Sequence, residues 1–170
     1  SVKWLRRIEL ADQPFMTREE TSKYTDPLGD GSQSRQFSFV MDARSIITDP
    51  AFPRVIEPGW HEIRGLAWSG RGRITGVDVS ADGGTTWQAA TLQGPVLPKA
   101  HVRFRHRWEW GGEPAEIMSR ATDETGYVQP TWETLRAARG PRTRYHQNPI
   151  TSWTVGDDGR VLFGAERLRS

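Results

Sequence analysis

The chain has 170 residues, 35% of them hydrophobic, with 8 Trp and 6 Phe. That is enough for one domain with its own core plus roughly 30 to 40 residues of extension, cramped for two domains, and too apolar for wholesale disorder. The formal net charge of +2 gives no reason to expect nucleic acid as a partner, and the absence of Cys excludes disulfides, thiolate metal sites and Cys nucleophiles.

No apolar run approaches the ~20 residues that span a bilayer, so no membrane partner is expected. Residues 1–10 lack the apolar stretch of a signal peptide, and Ser1-Val2-Lys3-Trp4 reads as mid-chain sequence. Lysine is limited to Lys3, Lys23 and Lys99. An arginine excess of this kind suits bidentate contacts to carboxylates and equally fits a GC-rich genome.

In chain order, residues 2–10 alternate charge and hydrophobe and read as a strand. Thr17 and Glu20 form a capping box for a short helix ending near Tyr24, followed by a loop over residues 26–32. From Gln36 the pattern is β: Phe37, Phe39 and Met41 alternate with Ser38 and Val40 before Asp49-Pro50 and Pro53 break the run. Strands follow at 61–68, 73–80 and 86–92. The spacing of Ile74, Val77 and Val79 predicts a bulge near Gly76.

The cleanest alternation lies over 101–110. Val102, Phe104, Trp108 and Trp110 fall on one side, and His101, Arg103, Arg105, Arg107 and Glu109 on the other, which is the pattern of a half-buried antiparallel strand. A strand over 115–123 precedes a helix over 131–139, N-capped by Thr131 and stopped by Gly140-Pro141. Strands at 150–155 and 160–164 flank the turn at 156–159. Seven or so short strands at this spacing predict an all-β fold: an antiparallel, Greek-key β-sandwich with an N-terminal extension.

Little in the sequence carries chemistry. The 4 histidines are scattered, and His101 and His106 fall on opposite strand faces, so they make neither a metal pair nor a nucleophile triad. Ser80-Ala81-Asp82-Gly83-Gly84-Thr85-Thr86-Trp87 fits the Asp-box hairpin, in which the Asp ties down turn amides; one copy is a structural staple. The stripe of Arg103, Arg105 and Arg107 suits an anion or an acidic protein face, or simply the solvated side of a sheet. A carbohydrate-binding sandwich using Trp60 or Trp110 as a sugar platform is the alternative function. A hydrolase would need Asp123, Glu124 and His146 together, which their spacing does not justify.

Several segments together resemble the sulfite oxidase family of molybdenum-cofactor oxidoreductases. They are Gly65-Leu66-Ala67-Trp68-Ser69-Gly70, the stretch from Ile74 to Val79, Asp82-Gly83-Gly84-Thr85-Thr86-Trp87, and Ala121-Thr122-Asp123-Glu124 with Gly126-Tyr127-Val128-Gln129-Pro130. They look like that family's immunoglobulin-like (E-set) dimerisation domain. Thr17 to Tyr24, Gly94 to Ala100 and Tyr145-His146-Gln147-Asn148 resemble its SoxC sulfane dehydrogenase branch.

The resemblance implies a division at residues 1–38, the tail of a molybdopterin catalytic domain with its linker, and 39–170, the dimerisation domain. It makes Ser1, Val2 and Lys3 candidate pterin contacts. His146 and Gln147 become candidates near the substrate, at the place where animal members carry a His-Arg pair. The implied partners are a second copy, the catalytic domain and a SoxD-like cytochrome c subunit; the implied compartment is the periplasm. With no Cys to ligate molybdenum, the chain alone is expected to be non-catalytic and to bind neither cofactor nor metal.

Overall fold

The computed structural model describes residues 3–28, 32, 34–141, 143 and 145–164. A short helix, α1 (Arg18–Ser22), and a hairpin of β1 (Thr25–Pro27) and β2 (Arg35–Phe37) precede the main strands. These are β3 (Arg44–Asp49), β4 (Gly59–Trp68), β5 (Ile74–Ser80), β6 (Gln88–Ala89), β7 (Thr91–Gln93), β8 (Val102–Trp110) and β9 (Ala115–Asp123), followed by helix α2 (Trp132–Arg139), β10 (Ser152–Val155) and β11 (Val161–Phe163). One sheet runs β11-β10-β9-β5-β6 and the other β3-β4-β8-β7, paired antiparallel throughout. The fold is an all-β, immunoglobulin-like sandwich.

Alternation decides which side chains face the interior. Ile63 and Ala67 of β4 and Val102 and Phe104 of β8 point inward and meet Val77 and Val79 of β5 and Ile117 and Ala121 of β9 in one buried cluster. Gly65 stands opposite Phe104 across the β4–β8 ladder, and a Cβ there would lie 2.3 Å from the Phe104 ring. The glycine therefore makes room for the ring to lie against its own sheet. A second cluster of Ile56, Trp110, Val155 and Val161 closes one end.

The Asp-box hairpin folds as its chemistry requires. Asp82 accepts from the Thr86 amide at 2.9 Å and hydroxyl at 2.6 Å, Ser80 Oγ accepts from Gly84 N at 2.8 Å, and Trp87 Nε1 donates to the Gly84 carbonyl at 3.0 Å. Bonds from the Thr86 side chain and backbone lower the Asp82 pKa to about 2. Gly83 and Gly84 sit at φ 70 and 89, the left-handed region the turn needs. The bulge is present as a register shift between Ile74 and Gly76. Thr17 and Thr131 cap their helices, accepting from Glu20 N at 3.3 Å and Thr134 N at 3.2 Å.

Four expectations fail. Described residues 3–10 are irregular rather than a strand, because an alternating segment becomes a strand only where a neighbour takes its backbone hydrogen bonds, and none among the described residues does. The loop over 26–32 begins as strand β1, paired to β2. The strand expected from Gln36 is present only as far as Phe37, in β2, and pairing resumes at β3, leaving Phe39, Val40 and Met41 exposed between them. The strand over 86–92 breaks at Ala90, whose amide donates to Val77 O at 2.8 Å where the chain crosses between sheets.

Candidate functional site

The structural feature with most to do with partners is the extension and its attachment. Apolar side chains are bare along it: Trp4 is 93% and Leu10 96% exposed, and Leu5, Ile8, Phe15 and Met16 are exposed as well. The sandwich core is complete without them. A run of large apolar groups left in water marks a surface that another molecule covers.

The extension is joined to the sandwich through two buried carboxylates. Asp26, on β1, accepts from Tyr145 N at 2.9 Å, Thr143 Oγ1 at 3.0 Å and His146 N at 3.3 Å, gathering the 143–148 loop. Asp42, just before β3, faces Arg71 Nε at 2.6 Å, Arg139 Nη2 at 3.2 Å and His146 Nε2 at 3.1 Å. Arg139 also donates to Ser38 Oγ at 3.0 Å, and Arg44 to the Gln147 carbonyl at 2.9 Å. Sandwich, helix α2 and extension thus meet in one ionic junction.

Burial sets the charge states there. His146 is 8% exposed. Desolvation, and then the positive charge of Arg139, push its pKa below 6.5 against the opposing pull of Asp42. Asp42 already has two guanidinium partners, so the imidazole stays neutral at pH 7. Its Nε2 lies close to Asp42, but the approach is not aligned for a hydrogen bond, and this buried nitrogen has no such partner among the described residues. The hydrogen bond and charge of Asp42 hold the Arg71 pKa above its ordinary value.

Beneath this junction two residues of the sequence motifs clamp the sheets. Gln129 is buried, and its Oε1 accepts from Ser45 N at 2.8 Å and Ala121 N at 3.1 Å while Nε2 donates to Pro149 O at 3.2 Å. Asp123 accepts from Ser69 Oγ at 2.7 Å and Thr125 N at 3.0 Å. Desolvation raises its pKa, but bonds from the Thr125 hydroxyl, Ser69 and the Thr125 and Tyr127 amides outweigh it and the net shift is downward.

The other sequence candidates fall as follows. Ser1 and Val2 lie outside the described residues; Lys3 is exposed. His146 is buried in the junction, and Gln147 is exposed with its Nε2 donating to Thr143 O at 3.2 Å. Trp110 is buried and donates to Glu113 O at 2.6 Å, so it is no sugar platform; Trp60 is exposed with Arg107 stacked over it. Asp123, Glu124 and His146 share no hydrogen bond or ion pair among the described residues. Sequence reasoning missed Asp26, Asp42, Arg71 and Arg139; the local sign of Asp42 is a carboxylate between the apolar Met41 and Ala43.

Residues 35–152 match the family model described as the Mo-co oxidoreductase dimerisation domain. The chain belongs to this family. The Mo-co dimerisation domain is 32% identical over 142 residues to sulfite oxidase of Gallus gallus, covering 76% of this chain and 31% of that protein. It is 28% identical over 155 residues to an NADH nitrate reductase of Solanum lycopersicum, covering 76% and 17%. Against the crystal structure of the sulfane dehydrogenase SoxCD from Paracoccus pantotrophus the TM-score is 0.85 at 50% identity, covering 95% of this chain and 42% of that one. The domain therefore spans less than a third of the curated relatives' length and under half of the solved chain.

The family's name implies a molybdenum cofactor, but the described residues do not fit one. Two clefts of the sandwich are lined from Ala81 onward, with no residue of the extension, and Lys3 is exposed. Among the described residues no group of three or more His, Cys, Asp or Glu could hold a metal. No helix among them is long and apolar enough to cross a membrane.

Proposed function

We propose that this Mo-co dimerisation domain is the association module of a molybdenum-dependent sulfur oxidoreductase, pairing with a second copy while its extension packs on the catalytic domain of the same parent. The observation that carries this reading is the bare apolar row from Trp4 to Met16 beside a core that does not need it. Residues 1–38 act as tail and linker, and 39–170 as the dimerising unit. The ionic junction fixes the angle at which the extension leaves the sandwich. By the family resemblance, Ser1, Val2 and Lys3 are the residues assigned to contact a pterin held by the catalytic domain of the parent, and His146 and Gln147 are the residues assigned to its substrate side.

Likeness to a sulfane dehydrogenase at 50% identity supports a parent that oxidises sulfane sulfur or sulfite and passes electrons to a cytochrome c subunit in the periplasm. The human relative is named as mitochondrial, so compartment varies among relatives. Hydrogen exchange tests the association directly. Amides of residues 3–16 are expected to exchange freely in the chain alone and to be protected when the molybdopterin portion of a sulfane dehydrogenase relative is added. Unchanged exchange at saturating concentrations of that portion would refute the reading.

A further inference from the structure

The outer face of the β3-β4-β8-β7 sheet carries a row of positive charge distinct from the extension. Strand alternation places Arg103, Arg105 and Arg107 on that face, about 7 Å from one to the next. All three are exposed, and none of the three guanidinium groups makes an ion pair or hydrogen bond among the described residues. Other surface arginines differ: Arg64 faces Asp49 at 2.9 Å, Arg120 faces Asp78 at 3.0 Å and Arg160 faces Asp158 at 3.3 Å.

The surroundings of the row are shaped for contact. Arg107 lies over the exposed Trp60 ring, 5.0 Å from its centroid, which orients the guanidinium. On the sheet-edge side, Thr91 and Gln93 stand opposite Arg105 and Arg103 and add neutral hydrogen-bonding groups. On the β4 side Glu62 stands opposite Arg107 and the ion-paired Arg64 opposite Arg105, and Glu109 ends the row.

We propose that this arginine row is a docking surface for an acidic segment of a partner protein, whose carboxylates pair with the three guanidinium forks. Planar guanidinium groups match carboxylates two bonds at a time. The chain's net charge of only +2 supplies no wide positive field of the kind that holds a continuous phosphate backbone. A two-fold axis running through the row itself would set like charges beside each other, which works against a second copy centred there.

The test is fluorescence-detected binding of a labelled, short poly-L-glutamate peptide to the full chain. One variant carries Arg103→Ser, Arg105→Ser and Arg107→Ser; a second loses the same charge elsewhere through Arg18→Ser, Arg73→Ser and Arg136→Ser. Removing the row is expected to weaken binding about tenfold, as for three exposed ion pairs of several tenths of a kcal/mol each. The matched variant should change it less than about twofold, and rising salt should weaken binding to the unaltered chain. Arg105→Gln alone, with thermal unfolding unchanged, should give about a two- to threefold loss and covers the case in which the triple variant misfolds. Equal weakening by both triple variants, no effect of the row, or tighter binding of duplex DNA or phosphatidylserine vesicles than of poly-L-glutamate would each overturn the proposal. So would a fall in the chain's solution mass on removing the row, which would assign it to self-association.

Discussion

The sandwich and the extension hold their apolar residues in opposite ways. In the sandwich, Ile63, Phe104, Val77 and Ile117 are almost wholly withdrawn from water, and even its polar interior is bonded, as at Gln129 and Asp123. In the extension, Trp4 and Leu10 are almost wholly solvated although they are as apolar as anything in the core. One region folds on its own surface area; the other leaves apolar area exposed that, on the proposed reading, a second molecule covers. The ionic junction around Asp42 and Asp26 is where the two regimes meet.

The sharpest way to break the sandwich side of this contrast is Phe104→Ala. The ring fills the space beside Gly65, and its loss should cost about 3–5 kcal/mol in urea denaturation, with the cavity unfilled because the β4–β8 ladder holds its register. A cost under about 1 kcal/mol would mean that the core repacks around the vacancy.

Asp42→Asn attacks the junction. It leaves Arg71 and Arg139 without their shared carboxylate, and an expected loss of about 2–3 kcal/mol reflects a buried anion whose partner Arg71 is itself partly solvated. Faster proteolytic cleavage between residues 34 and 43 should accompany it, since Arg139 also holds Ser38.

Acidity sharpens the same point. The His146 pKa is lower in the folded chain than its ordinary 6.5, so the unfolded chain binds the proton first and stability falls as pH drops below 6.5, levelling once pH passes the folded value. Asp123, also lowered, adds a second loss as pH falls below 3.8. Denaturation midpoints against pH should show the upper step in the native chain and lack it in His146→Gln, whatever the variant's overall stability.

The smallest stability effect belongs to the extension. Trp4→Ser with Leu10→Ser should change the unfolding midpoint by less than the equivalent of about 0.5 kcal/mol, because neither side chain touches the core. The same pair should abolish the protection of residues 3–16 by the catalytic portion. A large stability loss instead would mean that the extension belongs to the folding unit.

Much of the sandwich is legible locally. Alternation over β8, the Asp-box hairpin, the bulge beside Gly76 and the Thr131 cap all depend on residues within one or two turns of chain. The junction is not, because Asp42 finds Arg71 and Arg139 at separations of 29 and 97 residues, and a single carboxylate looks the same whether solvated or buried. Residues 3–10 mislead for a related reason: alternation reports a face to be covered, not whether the covering strand is in the same chain. The motif residues Gly65, Ser69, Asp123 and Gln129 stand out in sequence, but their reasons, room for Phe104 and clamps between sheets, emerge only from packing.

Pairing with a second copy is read out by the mass of the chain in solution, from light scattering across a concentration series up to tens of micromolar. A dimerising domain gives twice the 19.3 kDa of one chain at the upper end, falling toward one chain on dilution. A mass of 19.3 kDa at every concentration would contradict the pairing.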